Sequence, residues 1–322
     1  EFQRRKDQRI AEALSSESEP AYGRDVVMKK ALFGDGYAGE IPSGTRSSLK
    51  ALGYGDVKAH YAKLVPPEKA ALVVVGGTER EPAKAALEAA FGDWKGKPTV
   101  KQAIPSDKPL ERAIHFVDYP GASQSALAVA RRSEGEHSPE YFQALVMNRA
   151  FGEAFTSRLN LNLREDKGYT YGARSSFGRW DQAGYFGLFA SVKAETTRAS
   201  IDEMHKELTA LCGTRPLVDK ERKEAVEGLL LGLPGRFERI TDVAAQFVSL
   251  PLYERPLDWF SKWPERVQAV SLGHANDIGK KYCDPKQFVI VIAGDKKSVA
   301  PTLEGLELPI ASFDAQGRKL TK

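Results

Sequence analysis

Five histidines are the side chains in this sequence best suited to hold a catalytic metal ion. They are His60, His115, His137, His205 and His274. A helix that binds hydrolytic zinc carries two histidines four residues apart, with a glutamate beside them to activate water. No two of these histidines have that spacing, and the nearest imitation, at 137–141, lacks the second histidine and contains a proline. The sequence therefore predicts that this chain holds no catalytic zinc by itself.

The two cysteines, Cys212 and Cys283, are the other side chains that could do chemistry. They lie far apart in the sequence and form no C-x-x-C pair. This spacing excludes a cysteine zinc ribbon and a disulfide framework, but it leaves the compartment open. Cys283 directly follows two lysines and Tyr282. We expect a buried, inert thiol there and not a nucleophile.

Composition limits the classes of protein to which this chain can belong. Its 322 residues, 42% of them hydrophobic, predict a globular protein of one and a half to two domains. The 47 basic and 43 acidic residues are interspersed and form no clustered basic patch, so the sequence does not indicate nucleic-acid binding. No apolar stretch approaches the roughly 20 residues of a membrane span, and the first residues show no secretion signal.

Two segments of the sequence resemble each other. Residues 56–77 read DVKAHYAKLVPPEKAALVVVGG, and residues 277–295 read DIGKKYCDPKQFVIVIAGD. In both, an aspartate opens a helical turn, a tyrosine follows, and a proline-containing loop leads to an apolar strand (72–75 and 288–292). The two copies lie much further apart than the roughly 20–50 residues of a solenoid unit, so the repeat indicates a duplicated domain.

The first copy of this domain is present only in part. The helical pattern at 1–14 mirrors 220–233, but the second copy continues far upstream of that point and the first does not. Half a domain would leave apolar faces uncovered, so we expect a truncated chain. Residues 1–100 are then the later half of a first unit. A proline- and lysine-containing linker follows at 101–109, and 110–322 form a complete second unit.

The second unit shows strands first and helices later. Strands are predicted at 112–119, 124–131 and 184–192, and helices are predicted from Ser138 and over 197–211. Ser138 is the expected N-cap of the first helix, with Pro139 at its first position. This order predicts an α+β fold, with a duplicated antiparallel sheet and helices packed on one face.

The most specific stretch is SRLNLNLREDKGYTYGARSSF at 157–177. It resembles the non-catalytic domain of the insulinase/pitrilysin (inverzincin) family of zinc metallopeptidases. The residues that carry the resemblance are Ser157, Arg158, Leu159, Leu163, Arg164, Glu165, Gly168, Tyr169 and Tyr171. The first unit also fits, with Gly44 and Thr45, the run LVVVGG and FGDW at 91–94. The resemblance covers nearly the whole chain in order.

The resemblance implies where zinc belongs in the complete enzyme. In that family, the first of two similar domains binds zinc through H-x-x-E-H and a distant glutamate. The helix with this motif would lie in the absent part of the first, catalytic-type unit. The equivalent helix of the second unit, YFQALVMNRAFGE, carries no set of ligands. Glu1 or Glu12 could descend from the distant zinc glutamate, although solvated helix glutamates are far commoner.

The resemblance also implies a substrate-binding role for Arg164 and Tyr171. Family members carry an arginine and a tyrosine at this spacing, and these reach across the cleft to the substrate. A guanidinium and a phenol could hold a substrate carbonyl and stabilise the oxyanion that forms when water attacks. Without the family resemblance, the same two residues would have structural roles. The arginine would form a surface ion pair with Glu165 or Asp166, and the tyrosine would pack on the sheet. Tyr169 is the alternative tyrosine.

The implied function is the zinc-free, substrate-binding part of a metalloendopeptidase that cleaves peptides in a chamber between two homologous domains. Its partners would be peptides and either a missing N-terminal half or a zinc-bearing homologous subunit, and this chain alone would be inactive. The alternatives are a non-catalytic subunit with a separate zinc-bearing partner, or a catalytically dead structural relative. We expect a periplasmic or otherwise exported location for this protein.

The first prediction concerns zinc. The purified, chelator-treated chain should retain no stoichiometric zinc after equilibration with the metal, because two histidines at helical i, i+4 spacing are absent. Elemental analysis of the desalted protein measures this directly. One tightly held zinc per molecule would contradict the prediction.

Overall fold

The computed structural model describes residues 1–64, 67–96 and 109–320. In these ranges the helices are α1 (Phe2–Glu17), α2 (Pro20–Phe33), α3 (Arg46–Ala51), α4 (Tyr54–Leu64), α5 (Arg80–Phe91), α6 (Tyr141–Asn148), α7 (Arg158–Asn160), α8 (Thr197–Cys212), α9 (Asp219–Gly232), α10 (Ile240–Leu252), α11 (Trp259–Gln268), α12 (Leu272–Lys281) and α13 (Lys296–Val299). The strands are β1 (Ile114–Asp118), β2 (Gln124–Ser133), β3 (Thr170–Arg179), β4 (Gly184–Lys193), β5 (Val289–Gly294) and β6 (Ile310–Phe313). Within this described part, no helix has both the length and the apolar character needed to cross a membrane.

The strands form one sheet in the order β3-β4-β2-β5-β1-β6. The predicted α+β class is confirmed, and β1, β2, β4 and β5 coincide with predicted strands. The sheet is mixed, where an antiparallel one was expected, because β1 pairs in parallel with both β5 and β6. The chain passes from β5 to β6 through α13, and a crossover of this kind, unlike a hairpin, produces parallel strands.

Both faces of the central strands are buried. Ala126, Ala128 and Ala130 of β2 pack with Val27 and Met28 of α2 in one apolar cluster. The intervening residues of β2 are also fully buried, and successive side chains of a strand point to opposite faces. The sheet therefore needs cover on its second face as well.

The second face is covered by helices that follow the sheet's first strands. Helix α8 contacts β2 and β4, and α12 packs against α6 and α8. The four apolar residues predicted to face the core from α8 are buried, which are Ile201, Met204, Leu208 and Leu211. Helices thus lie on both faces, where one face was expected, because residues 126–130 of β2 and 289–293 of β5 are apolar and buried at every position.

The helix expected to begin near Ser138 begins instead at Tyr141. The Ser138 hydroxyl accepts a hydrogen bond from the Glu140 N–H at 3.2 Å, and the Tyr141 N–H donates to the Ser138 carbonyl at 3.1 Å. These bonds hold residues 138–141 in a turn that competes with helix formation. The predicted N-cap is therefore wrong by two residues, because Glu140 takes that position.

The chain divides into two compact units. One is formed by 1–51, 104–226 and 270–322, and the other by 52–103 and 227–269, as far as these ranges are described. The predicted division into 1–100 and 110–322 concerns homologous copies and stays a prediction. The predicted linker at 101–109 lies, apart from Pro109, outside the described residues.

The strand predicted at 72–75 is not formed. This segment has no regular secondary structure and pairs with no strand in the described chain, and Leu72 and Val74 are each 52% exposed. A strand requires a neighbour to receive its N–H and C=O groups, and β-branched composition cannot supply one. The helical parts of both copies of the repeat do form, as α4 and α12.

A disulfide joins Cys212 to Cys283, so the expectation of an inert free thiol at Cys283 is wrong. Cys212 is the last residue of α8, and Cys283 lies just beyond α12. Packing of α8 against α12 brings the two Cα atoms to 5.9 Å, within the range that a disulfide spans. The bond closes a stretch of 71 residues that no local motif could have connected.

The second prediction tests this bond. The denatured, unreduced chain should show no free thiol, and two should titrate after reduction. Reduction should lower the midpoint of thermal unfolding by about 5–10 °C, because the open chain regains the conformational freedom of a long loop. The double variant Cys212→Ser/Cys283→Ser is the control and should respond to reductant in neither measurement. Two reactive thiols in the unreduced chain would refute the pairing.

Candidate functional site

The segment that carries the predicted site winds between α6 and β3. Directly after α6 comes a π-helical turn (Arg149–Glu153), and α7 leads into a second one (Leu161–Asp166). A π-helical turn accommodates an extra residue and so changes the direction in which the following side chains point. Two such turns in one short segment place its side chains where a regular helix would not.

A glycine allows the first π-helical turn to lie against β3. A Cβ added to Gly152 would sit 2.6 Å from the Ser175 nitrogen, closer than real atoms approach. Ser175 lies on β3, and its hydroxyl donates to Asn148 Oδ1, at the end of α6, at 2.7 Å. Only glycine therefore fits at this point of contact.

Gly168 ends the second π-helical turn and directs the chain into β3. Its φ of +63° lies in the left-handed region, which glycine adopts without strain. The N–H groups of Gly168 and Tyr169 donate to the carbonyls of Arg164 and Leu163 at 3.2 and 2.9 Å. This closed turn fixes the path of the backbone between the two predicted site residues.

Arg164 lies on the second π-helical turn with its side chain partly exposed. Its Nε is 3.2 Å from Glu165 Oε1, and its guanidinium carbon is 4.4 Å from the centre of the Phe155 ring. No hydrogen bond from the guanidinium is found within the described residues. The pairing with Glu165 agrees with the structural interpretation of Arg164, in which it forms an ion pair with a neighbouring carboxylate. The stacking on Phe155 was not expected.

Tyr171 lies at the start of β3, which is an edge strand. Thr170 pairs with Val192 and Ala173 with Ala190, so two residues of β3 stand opposite one residue of β4. This β-bulge turns the Tyr171 side chain outward, where it is 89% exposed. Tyr171 is therefore not packed on the sheet, so the purely structural interpretation of this tyrosine is wrong.

The structure thus places the two predicted residues on either side of one braced turn, without a hydrogen bond or ring contact between them in the described chain. Tyr169, the alternative tyrosine, is only partly exposed, and its backbone is held at both ends, because its carbonyl accepts from the Lys193 N–H at 3.2 Å. The substrate-binding roles of Arg164 and Tyr171 remain predictions.

A buried arginine holds this segment on the helices behind it. Arg158 is 9% exposed, and its Nε and Nη2 donate to the two carboxylate oxygens of Glu221 at 2.5 Å each. Its remaining donors reach the carbonyls of Arg215 and Pro216. Such bidentate pairing, with the other donors also satisfied, is the arrangement in which a buried arginine is tolerated. Arg158 was part of the family motif, but sequence reasoning gave it no role.

The Arg158 pairing also sets the protonation of Glu221. Burial by itself would raise the pKa of this carboxyl, but the Arg158 guanidinium and the Val218 N–H outweigh burial. The net result is that the pKa of Glu221 lies below its ordinary value of 4.5. Glu221 is therefore ionised at neutral pH, as the pair requires.

A cleft of about 460 Å³ lies beside this pair. It is lined by Arg158, Leu161, Asn162, Asp166, Lys206, Glu207, Arg215 and Glu221. Its most buried charge, Glu207, is paired with Arg215, and Asn162 Nδ2 donates to Glu207 at 2.8 Å. A ligand here would have to displace these pairs, so the network is better suited to support the segment than to bind a substrate.

The residues present do not fit the zinc that the family implies. Across the described ranges, no three histidine, cysteine, aspartate or glutamate side chains come close enough together to hold a metal ion. Glu1 and Glu12 are exposed and lie in ion pairs with arginines of the same helix. Neither forms part of a ligand set.

Sequence reasoning missed Phe155, which supports the Arg164 guanidinium. Phe155 is 63% exposed and lies in the bend between the first π-helical turn and α7. No apolar periodicity marks such a residue, because it covers another side chain and not the core. The only signal in the sequence was an aromatic residue that lies beside the family motif and belongs to no apolar pattern.

A family model described as peptidase M16 inactive domain matches residues 51–229. The protein called non-peptidase homolog YmxG, from Helicobacter pylori, is 23% identical over 297 residues, which cover 91% of this chain and 67% of that protein.

Several solved structures share the fold. The peptidase M16 inactive domain from Pseudomonas fluorescens has a TM-score of 0.80 and 22% identity, with 91% of this chain and 70% of that one covered. A protease from Helicobacter pylori has a TM-score of 0.76 and 16% identity, covering 91% and 71%. A chain of complex III2 from Candida albicans has a TM-score of 0.74 and 17% identity, covering the same shares. At these identities the likeness concerns the fold alone.

The third prediction concerns the buried pair. Arg158→Ala should lower the free energy of unfolding by about 3 kcal/mol, because it leaves the partly buried Glu221 carboxylate without its cation. Since the pKa of Glu221 is lowered in the folded chain, the pair stabilises above pH 4.5, and this stabilisation is lost as the pH falls through the folded pKa. Denaturant unfolding at pH 7 and pH 4 should therefore show a smaller difference between wild type and variant at pH 4.

An exposed pair provides the control for this prediction. Arg239 and Asp242 lie 2.7 Å apart, but the arginine side chain is 76% exposed. Arg239→Ala should change stability by less than about 0.5 kcal/mol at either pH. Equal losses in Arg158→Ala and Arg239→Ala would show that the buried pair does not hold the segment.

Proposed function

The chain belongs to the M16 peptidase family as one of its inactive domains, and from this premise we propose that it forms the substrate-binding, zinc-free wall of a peptidase assembly. The zinc of such an assembly would be held by another homologous domain, either in the same gene product or in a partner subunit. In this proposal the present chain contributes polar donors and binds peptides, while the metal lies elsewhere.

One observation carries the proposal, namely the way the fold presents Arg164 and Tyr171. The chain holds both residues on the two sides of a turn closed by backbone hydrogen bonds, and it leaves the Tyr171 phenol almost fully exposed. A tyrosine that served only the fold would bury its ring, because the ring contributes stability mainly when it leaves water. Exposure of this ring on a braced edge is more economically explained by contact with a ligand.

The chemistry available from these two side chains suits a peptide carbonyl. The guanidinium offers several donors in a fixed plane, and the phenol offers one more on a separate stem. Donors aimed at a carbonyl oxygen hold the peptide and stabilise negative charge that develops on that oxygen. A well-placed donor in such a position contributes about 3 kcal/mol.

A second candidate is a catalytically dead relative that only assembles with other chains. Three observations favour it. The Helicobacter pylori relative is named a non-peptidase homolog, and a chain of complex III2 shares the fold. In addition, Arg164 is already engaged by Glu165 and Phe155, as a purely structural arginine would be.

The disulfide supports an exported location for either candidate. Disulfide bonds persist in oxidising compartments and are rare where thiols are kept reduced. The Cys212–Cys283 pair would therefore be stable outside the cytosol.

The fourth prediction separates the two candidates by peptide binding. A fluorescein-labelled, unstructured peptide should bind this chain, as measured by fluorescence anisotropy, and Arg164→Ala and Tyr171→Phe should each weaken binding about three- to tenfold. In an assembly that carries the zinc domain, the same variants should lower peptide cleavage about ten- to a thousandfold, mainly in kcat, because the donors act on charge that develops in the transition state.

Matched variants control for nonspecific effects. Arg149 pairs with Glu153 on the first π-helical turn, with an exposure close to that of Arg164, and Arg149→Ala should leave binding unchanged. Tyr169→Phe should be nearly silent. Absence of peptide binding, or equal losses in Arg164→Ala and Arg149→Ala, would favour the catalytically dead relative. A loss confined to Tyr169→Phe would move the role to that tyrosine.

A further inference from the structure

The bulge at the start of β3 is held by a buried asparagine from outside the sheet. At this bulge the N–H of Ala173 donates out of the sheet to Asn160 Oδ1 at 3.0 Å. The neighbouring Gly172 N–H donates to the Thr170 hydroxyl at 3.1 Å. Asn160 is 4% exposed, so its oxygen satisfies a buried N–H of this edge strand.

The same amide also holds the support of Arg164. Asn160 Nδ2 donates to the Phe155 carbonyl at 2.7 Å. The Phe155 ring is the surface on which the Arg164 guanidinium lies, at 4.4 Å. One side chain thereby fixes the backbone of Phe155 and the backbone two residues beyond Tyr171.

We infer that Asn160 is a positioning residue that sets the separation between the Arg164 guanidinium and the Tyr171 phenol, and so tunes the affinity for an extended peptide. This inference rests on the proposed function of those two residues. The amide is suited to the role because it accepts at one end and donates at the other, so it can bridge a backbone N–H and a backbone carbonyl. The bond to Ala173 is buried and the bond to Phe155 is partly buried, so both are costly to lose and the bridge is rigid.

Asn148 offers a matched comparison. It is also a nearly buried asparagine, at 5% exposure, and it accepts a hydrogen bond from β3 through the Ser175 hydroxyl at 2.7 Å. Ser175 lies beyond the bulge, in the part of β3 that is regularly paired with β4. A loss at Asn148 should therefore disturb stability without changing the separation of Arg164 and Tyr171.

The test compares Asn160→Ala with Asn148→Ala in the full chain. Both should lower the midpoint of thermal unfolding by similar amounts, but only Asn160→Ala should weaken binding of the fluorescein-labelled peptide, by about three- to tenfold. Asn160→Asp keeps the acceptor for Ala173 and loses the donor to Phe155, so it should give an intermediate loss. It also provides a measurable variant if Asn160→Ala does not fold.

A double-mutant cycle shows whether Asn160 acts through the two site residues. In the Arg164→Ala/Tyr171→Phe background, adding Asn160→Ala or Asn160→Asp should change peptide affinity by less than about twofold. Equal affinity losses in the Asn160 and Asn148 variants, or a full additional loss in that background, would overturn the inference and leave the proposed function intact. If Arg164→Ala and Tyr171→Phe themselves leave affinity unchanged, the proposed function fails, and the inference fails with it.

Discussion

The buried guanidinium of Arg158 is the contact on which the geometry of the whole 157–173 segment depends. Removing a cation from water is costly, and the cost is recovered only when a counter-charge and further acceptors surround it. Glu221 and two backbone carbonyls supply these acceptors, and they come from α9 and from the loop before it. Because the pair tolerates little displacement, α7 has one place on the helices behind it, and the chain that follows starts from a fixed point.

Irregular elements then convert this fixed point into an exposed pair of side chains. A regular helix followed by a regular strand would repeat the directions of its side chains at constant angles. Here a π-helical turn, a left-handed glycine and a β-bulge interrupt that repetition within a dozen residues. The interruptions let Leu159 and Leu163 stay fully buried while Tyr171 faces outward and Arg164 is partly exposed. One short segment therefore contributes side chains both to the core and to the candidate site.

The same division fits the role that we propose for an inactive domain of a peptidase family. The apolar sheet is covered on both faces, and the disulfide ties two of the covering helices together. In the proposed role, this scaffold would offer a ligand a set of hydrogen-bond donors, whose value depends on fixed position more than on reactivity. A wall of this kind would therefore depend on rigidity.

Local pattern was enough to predict those parts that local pattern controls. Alternating and helical periodicity identified β1, β2, β4 and α8, because burial of one face constrains every second or every third to fourth residue. The lack of a zinc helix stays a prediction from histidine spacing, since that ligand pair must lie within one turn. Family resemblance pointed to Arg164 and Tyr171, although not to the residues that hold them.

Tertiary structure decided everything that required a partner distant in sequence. The Cys212–Cys283 bond follows from the packing of two helices, which neither cysteine's neighbours reveal. The segment at 72–75 has the composition of a strand but lacks a paired neighbour in the described chain, so it remains single. The second helical layer, the Phe155 support and the Asn160 bridge arise in the same way. A pattern in sequence reports that a face or a polar group must be satisfied, and only the folded chain determines which residue satisfies it.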